Sequence, residues 1–220
     1  YEIPLRLVGS EMCIRDSRTT FAKNIKTVLE KNKLDGIDLD FEWAENEKEY
    51  KDYSLAILKM REVLGDKYLF SVSLHPVCYK ISKEAIEAVD FISLQCYGPS
   101  PVRFPIEKYC SDIQMVLEYG IPREKLVAGV PFYGVTKDNS KKTEAYFNFV
   151  QNGLVTSPAQ NEVIYQGDTY VFDGQDNIRI KTRYAKEQKL KGMMSWDLAT
   201  DLPLSDSRSL LKTMTEELRE

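Results

Sequence analysis

One histidine and four cysteines are all this 220-residue chain offers to soft-metal chemistry. The cysteines (Cys13, Cys78, Cys96 and Cys110) form no C-x-x-C pair, and His75 has no companion histidine, so the ligand spacing of a zinc centre is missing. Four thiols in so long a chain also fall short of the cysteine density of disulfide-framed secreted domains. Cys78 and Cys96 lie in or beside apolar runs, where a free buried thiol is expected. No apolar stretch approaches the roughly 18 to 20 residues that a membrane-spanning helix needs. A formal net charge of −4 leaves no basic footprint for nucleic acid and no polybasic membrane patch. Aromatic residues, at 11%, would suit a protein that stacks on sugar rings, but they fill ordinary cores equally well and decide nothing.

The first seventeen residues lack the basic start and apolar core of a signal peptide. Leu7–Ser17 resembles a translated sequencing-adapter fragment, so residues 1–17 are expected to be a non-native segment ahead of a partial catalytic domain, residues 18–220. From Thr19 onward, helix-period and strand-period segments alternate, the pattern of repeated βα units. Phe21, Ile25, Val28 and Leu29 predict a helix, Asp35–Trp43 a strand, and Tyr50–Leu64 a helix with Tyr53, Ile57, Met60 and Leu64 on one face. Tyr68–Leu74 reads as the next strand, and Ser82 as the cap of a short helix reaching Val89. Phe91–Tyr97 and Lys125–Phe132 read as strands on either side of a helix marked by Ile113, Val116 and Leu117. Gly134–Asn177 breaks the rhythm with one expected β-hairpin turning around Gly167-Asp168, an excursion on the loop face and not a domain. A helix over Ile178–Lys189, a strand over Gly192–Leu198 and a helix over Ser207–Arg219 complete the chain. A whole eight-stranded barrel takes about 250 residues. The fold class expected is therefore α/β, a (β/α)8 TIM barrel represented by its last five βα units, with two unpaired sheet edges. A doubly wound sheet is the other architecture with this rhythm, but no glycine-rich phosphate loop opens a helix.

The most informative segment is Asp35-Gly36-Ile37-Asp38-Leu39-Asp40-Phe41-Glu42. Side chains alternate along a strand, so Asp38, Asp40 and Glu42 share one face, with neighbours roughly 6.5 to 7 Å apart. Ile37, Leu39 and Phe41 share the other face, which in a parallel barrel packs against helices and sends the acids inward. Three enclosed carboxylates cannot all ionise, and one that keeps its proton is what a general acid requires. Glu42, at the C-terminal end of the strand, is the natural donor to a leaving-group oxygen. An edge strand with its acids in water would show the same alternation; the βα rhythm argues for the barrel.

On Phe91–Tyr97 the more polar face holds Ser93, Gln95 and Tyr97, placing Gln95 and Tyr97 near the strand end. Tyr97 would equally serve as a buried tyrosine whose hydroxyl meets a local carbonyl. Ser71 and Ser73 lie on the polar face of their strand as small side chains below the acids. Tyr133, after Gly129-Val130-Pro131-Phe132, either lines a subsite or closes the rim, and Trp196 offers either a sugar platform or a core residue.

These residues resemble glycoside hydrolase family 18, the chitinases and endo-β-N-acetylglucosaminidases. Asp35–Glu42 matches the family's D-G-x-D-x-D-x-E signature on the fourth barrel strand. Phe91–Tyr97 resembles the sixth strand, with Gly98 where an aspartate is common, while Lys125–Gly134 resembles the seventh and Gly192–Asp197 the eighth. The resemblance implies a retaining, substrate-assisted hydrolysis of β-1,4-linked N-acetylglucosamine polymers, in which the substrate's acetamido oxygen is the nucleophile. It assigns Glu42 as general acid/base, Asp40 to the acetamido N–H, Asp38 to holding Asp40, and Tyr97 to the acetamido oxygen. Gln95, Trp196 and Tyr133 would bind substrate. It implies no metal or cofactor, a partner that is an N-acetylglucosamine-containing oligo- or polysaccharide, and a secreted, periplasmic or cell-surface location for the intact protein. An N-glycan-cleaving endoglycosidase and an inactive chitinase-like carbohydrate-binding protein share the scaffold; the second class usually lacks the terminal acid that Glu42 supplies here.

Overall fold

The strand and helix periods written into the sequence become alternating strands and helices in the structure, a computed structural model that describes residues 11–219. Helix α1 (Glu11–Asn32) leads into β1 (Gly36–Asp40), α2 (Glu47–Leu64) and β2 (Leu69–Leu74). Then come α3 (Lys83–Ala88), β3 (Phe91–Leu94), α4 (Ile106–Tyr119) and β4 (Leu126–Pro131). A long excursion follows, made of β5 (Tyr133–Thr136), β6 (Thr143–Ala145), α5 (Tyr146–Gln151), β7 (Glu162–Tyr165) and β8 (Asp168–Val171). Helix α6 (Gln175–Glu187), β9 (Gly192–Trp196) and α7 (Leu210–Arg219) end the chain. The five strands that alternate with helices hydrogen-bond in the order β1-β2-β3-β4-β9, a parallel sheet with flanking helices. This is the (β/α)8 pattern, represented by five βα units. Most of the segment expected to be non-native lies outside the described residues; Glu11–Ser17 continue into α1.

The chain divides into two compact units. One runs to Ser73 and includes Lys80–Ile92; the other comprises Leu74–Tyr79 and everything from Ser93. In the first, Asn46 caps α2 by accepting from the Glu49 N–H, and Ser82 caps α3 by accepting from Ala85, each contact of the kind worth about 1 kcal/mol. The expected apolar face of α2 is the one buried: Tyr53, Ile57, Met60 and Leu64. Gly36 is needed where β1 meets β2, because a Cβ there would sit 2.3 Å from the Leu69 carbonyl oxygen.

The second unit contains the one large departure from expectation. Gly134–Asn177 holds more than a hairpin: β6-β5-β8-β7 form a four-stranded antiparallel sheet. Phe149 of α5 packs its ring on Tyr165, Tyr170 and Phe172, giving the excursion an apolar centre of its own. The tight turn joining β7 to β8 falls on Gln166-Gly167 (φ 51° and 88°), one residue before the expected pair, since a two-residue turn of this hand needs two positive φ angles. A buried Lys181–Asp173 ion pair (2.6 Å, both side chains 0% exposed) ties α6 to the segment just after β8. The Lys181 ammonium lies 5.4 Å from the centre of the Tyr109 ring of α4. Cys78 and Cys96 are buried free thiols, as expected, and burial pushes the Cys96 thiol far above its ordinary range.

Candidate active site

The expected site residues fall in both units. In the first, β1 runs parallel to β2 with Asp38 opposite Ser71 and Asp40 opposite Ser73. Strand alternation then sends Asp38 and the two serines to the same side. Ser71 Oγ donates to Asp38 Oδ1 (2.5 Å) and Ser73 Oγ donates to Asp38 Oδ2 (2.7 Å), so each carboxylate oxygen has its own hydroxyl. On the opposite face, the Tyr53 hydroxyl donates to the Leu39 carbonyl (2.9 Å) and the Phe41 and Tyr53 rings meet at 5.2 Å. The strand is therefore anchored through its apolar side, leaving the acidic side open.

That openness corrects one expectation. Asp38, Asp40 and Glu42 are all exposed, not enclosed in a low-dielectric interior. The cause is the position of β1 at one end of the strand order: among the described residues no strand pairs beyond it. The regular strand also stops at Asp40, short of the expected Trp43, so Glu42 stands just past its C-terminal end. The Glu42–Trp43 peptide is cis.

The aromatic residues of the second unit are placed differently. β3 stops at Leu94, short of the expected Tyr97, and the Gln95 N–H donates to the Leu74 carbonyl (2.8 Å). Gln95 and Tyr97 are both buried. The Tyr97 hydroxyl meets the Met194 sulfur of β9 (3.6 Å), and its ring stands edge-on to Tyr133 with centroids 6.4 Å apart. Gly129 makes room for that ring. An added Cβ would lie 2.9 Å from Tyr97 Cε1, 2.9 Å from Met194 Cε and 2.8 Å from the Leu94 carbonyl oxygen. Tyr133 also packs edge-on against Phe104, and burial pushes its hydroxyl pKa well up against the opposing pull of the Gly98 backbone. Trp196, at the end of β9, is 55% exposed, and its peptide to Asp197 is cis.

The structure also brings up residues the sequence gave no cause to single out. His75 is buried under the Tyr97 backbone, with Nε2 3.1 Å from the Tyr97 carbonyl oxygen. Arg103 pairs with the fully buried Asp112 of α4 (3.0 Å), and Lys108 pairs with the same carboxylate. Asp201 accepts from Ser209 Oγ, Leu210 N and Leu211 N, fixing the start of α7. A helical-face reading of α4 could have found Asp112, a charge on an otherwise apolar stripe. Nothing in the sequence joins His75 to Tyr97. Among the described residues no group of His, Cys, Asp and Glu side chains is disposed to hold a metal ion, and no helix is long and apolar enough to cross a membrane.

The sequence profile described as "Glycosyl hydrolases family 18" matches residues 10–201. The chain belongs to that family. Among curated relatives of this family 18 chain, "Probable chitinase 2" of Drosophila melanogaster is 23% identical over 248 residues, a match covering 84% of the chain. The chain spans about half that relative's length (51%). Among solved structures, the GH18 chitinase ChiB from the chitin utilization locus of Flavobacterium johnsoniae superposes with a TM-score of 0.75 at 26% identity, covering 96% of this chain and 72% of that one. A class V chitinase from Nicotiana tobaccum, solved in complex with NAG4, superposes with a TM-score of 0.74 at 17% identity, covering 95% and 77% of the two chains. At that identity the second likeness speaks to the fold alone.

Proposed function

We propose that the protein hydrolyses β-1,4-linked N-acetylglucosamine polymers with retention of configuration, the substrate's own acetamido group acting as nucleophile. The observation that carries this reading is the acidic face of β1 in a family 18 chain, with Asp38 fixed by two serine hydroxyls and Glu42 standing past the strand end. The chitinases among the proteins it resembles support the substrate class.

In this mechanism Glu42 gives its proton to the glycosidic oxygen as the bond to the anomeric carbon breaks. The acetamido oxygen closes on that carbon from the other side, giving an oxazolinium ion. Asp40 accepts from the acetamido N–H and offsets the positive charge that develops. Asp38, its two oxygens already occupied by Ser71 and Ser73, sets the position of Asp40 along the strand. The Glu42 carboxylate then takes a proton from water as the water opens the ring, which restores the acid. Tyr97 donates to the acetamido oxygen, exchanging a thioether, a weak acceptor, for a stronger one. Gln95 and Tyr133 are assigned to substrate binding on the family resemblance. Trp196 presents an exposed indole face of the kind on which a sugar ring can stack.

The test is hydrolysis of N-acetylglucosamine oligomers beside release of N-linked glycans from a glycoprotein, with product anomers read early by NMR. The proposal expects oligomer cleavage and an initial β-anomer. Glycoprotein cleavage alone moves the assignment to an endoglycosidase. An initial α-anomer rejects retention, and binding without turnover rejects hydrolysis.

A further inference from the structure

The candidate site does not account for His75, the chain's single histidine, which sits 8% exposed in a tight loop directly after β2. Its backbone is pinned on both sides: the His75 N–H donates to the Cys78 carbonyl (3.3 Å), and the Cys78 N–H donates to the His75 carbonyl (2.7 Å). The ring is held as firmly. The Val77 backbone N–H donates to Nδ1 (3.2 Å), so Nδ1 must carry a lone pair. Nε2 faces the Tyr97 carbonyl oxygen at 3.1 Å, and since a carbonyl can only accept, Nε2 must carry the proton. Both contacts are satisfied by one tautomer and by no other protonation state. A protonated ring would lose the Val77 bond, and the Nδ1–H tautomer would lose both.

We propose that His75 is a positioning residue for Tyr97: as the neutral Nε2–H tautomer it fixes the Tyr97 backbone and so sets where the Tyr97 hydroxyl is presented to substrate. The bond links the loop after β2 to the end of β3, 22 residues on, at a point where the regular ladder has already stopped. Tyr97 also meets the edge of Tyr133 and the Met194 sulfur. The His75 bond is directional, an N–H aimed at a carbonyl oxygen. The surroundings favour the uncharged ring. Burial and the Arg103 cation lower the His75 pKa to about 4, against smaller opposing contributions from the Tyr97 carbonyl and Asp112; Lys108 adds to the lowering. Arg103 is kept beside the ring by its pair with Asp112. This role rests on the proposed contact between Tyr97 and the acetamido group.

The experiment has two parts, so that the two readings can fail separately. In the unmutated protein, imidazole ¹⁵N shifts report the tautomer without any substrate. Protonated Nε2 with unprotonated Nδ1 at neutral pH, titrating well below an ordinary histidine, is expected; an Nδ1–H tautomer or a charged ring overturns the proposal. The second part is a kinetic cycle on N-acetylglucosamine oligomers. His75→Leu should lower kcat on the order of tenfold with KM moving less, as a displaced catalytic contact does. His75→Gln should recover most of that loss, since its amide can donate to the Tyr97 carbonyl and accept from Val77. In a Tyr97→Phe background, His75→Leu should cost nothing further in kcat. An equal loss in both backgrounds, or parental kcat in His75→Leu, overturns the proposal. Parental kcat in Tyr97→Phe alone overturns the role of Tyr97 and with it that of His75, while the ¹⁵N result still decides whether the bond exists.

Discussion

Strands β1 and β4 belong to one sheet and differ in every residue's burial: no residue of β1 is buried and all six of β4 are. β4 reads Leu-Val-Ala-Gly-Val-Pro, the near-continuous apolar run of a parallel strand covered on both faces. β1 alternates, and its polar face carries Asp38 and Asp40, both exposed, with the exposed Glu42 just past its end. The chemistry proposed for this protein thus lies on the least buried strand of the sheet, while its stability rests on the covered strands and on the groups packed against them. Changes in the covered part should cost stability, and changes on the acidic face should cost turnover.

The buried Lys181–Asp173 pair gives the largest expected stability effect. Lys181→Met strands a carboxylate that is 0% exposed, and the loss should reach about 3 to 5 kcal/mol, read as a lowered urea midpoint. The matching change at the solvent-facing pair, Lys142→Met opposite Asp168, should cost at most about 1 kcal/mol. Equal losses at the two sites would erase the contrast. Next comes Gly129→Ala, whose methyl would press on Tyr97, Met194 and the Leu94 carbonyl; a loss of about 1 to 3 kcal/mol in urea unfolding is expected from overpacking. Asp38→Ala should also cost stability although the residue is exposed, because it leaves the buried Ser71 and Ser73 hydroxyls without their acceptor. A deficit of about 1 kcal/mol, with Asp38→Asn milder, would be typical of such a loss.

The smallest effect is a pH dependence. The folded pKa of His75 lies near 4, below the ordinary 6.5. Between those values the unfolded chain binds more protons than the folded one, so the His75 contribution is fully present above about 6.5 and is lost as pH falls towards 4. Melting temperatures from pH 7 down to pH 4 should fall less steeply in His75→Gln than in the parent.

Much of the fold was legible because the periodicities are local. The buried face of α2, the Ser82 cap and the order of the five strands all follow from residues close together in the chain. The acidic face of β1 was legible for the same reason, since one eight-residue segment spells it out. Its exposure was not: whether a strand ends a sheet depends on which other strands pair with it, and alternation reads the same in either case. The excursion was under-read as a lone hairpin because β5 and β6 are short strands joined by polar residues, paired through a sheet that no local pattern announces. The surroundings of Tyr97 were the least legible part. His75, Gly129, Tyr133 and Met194 are far apart in sequence and meet only through the fold.

The central claim is that the exposed end of β1 carries the chemistry. Glu42→Gln keeps the shape of the side chain and removes its acid, so kcat on N-acetylglucosamine oligomers should fall roughly a hundred- to ten-thousandfold. Because the residue is exposed, the unfolding free energy read from urea denaturation should change by no more than about 0.5 kcal/mol. A variant that turns over substrate at the parental rate would contradict the account.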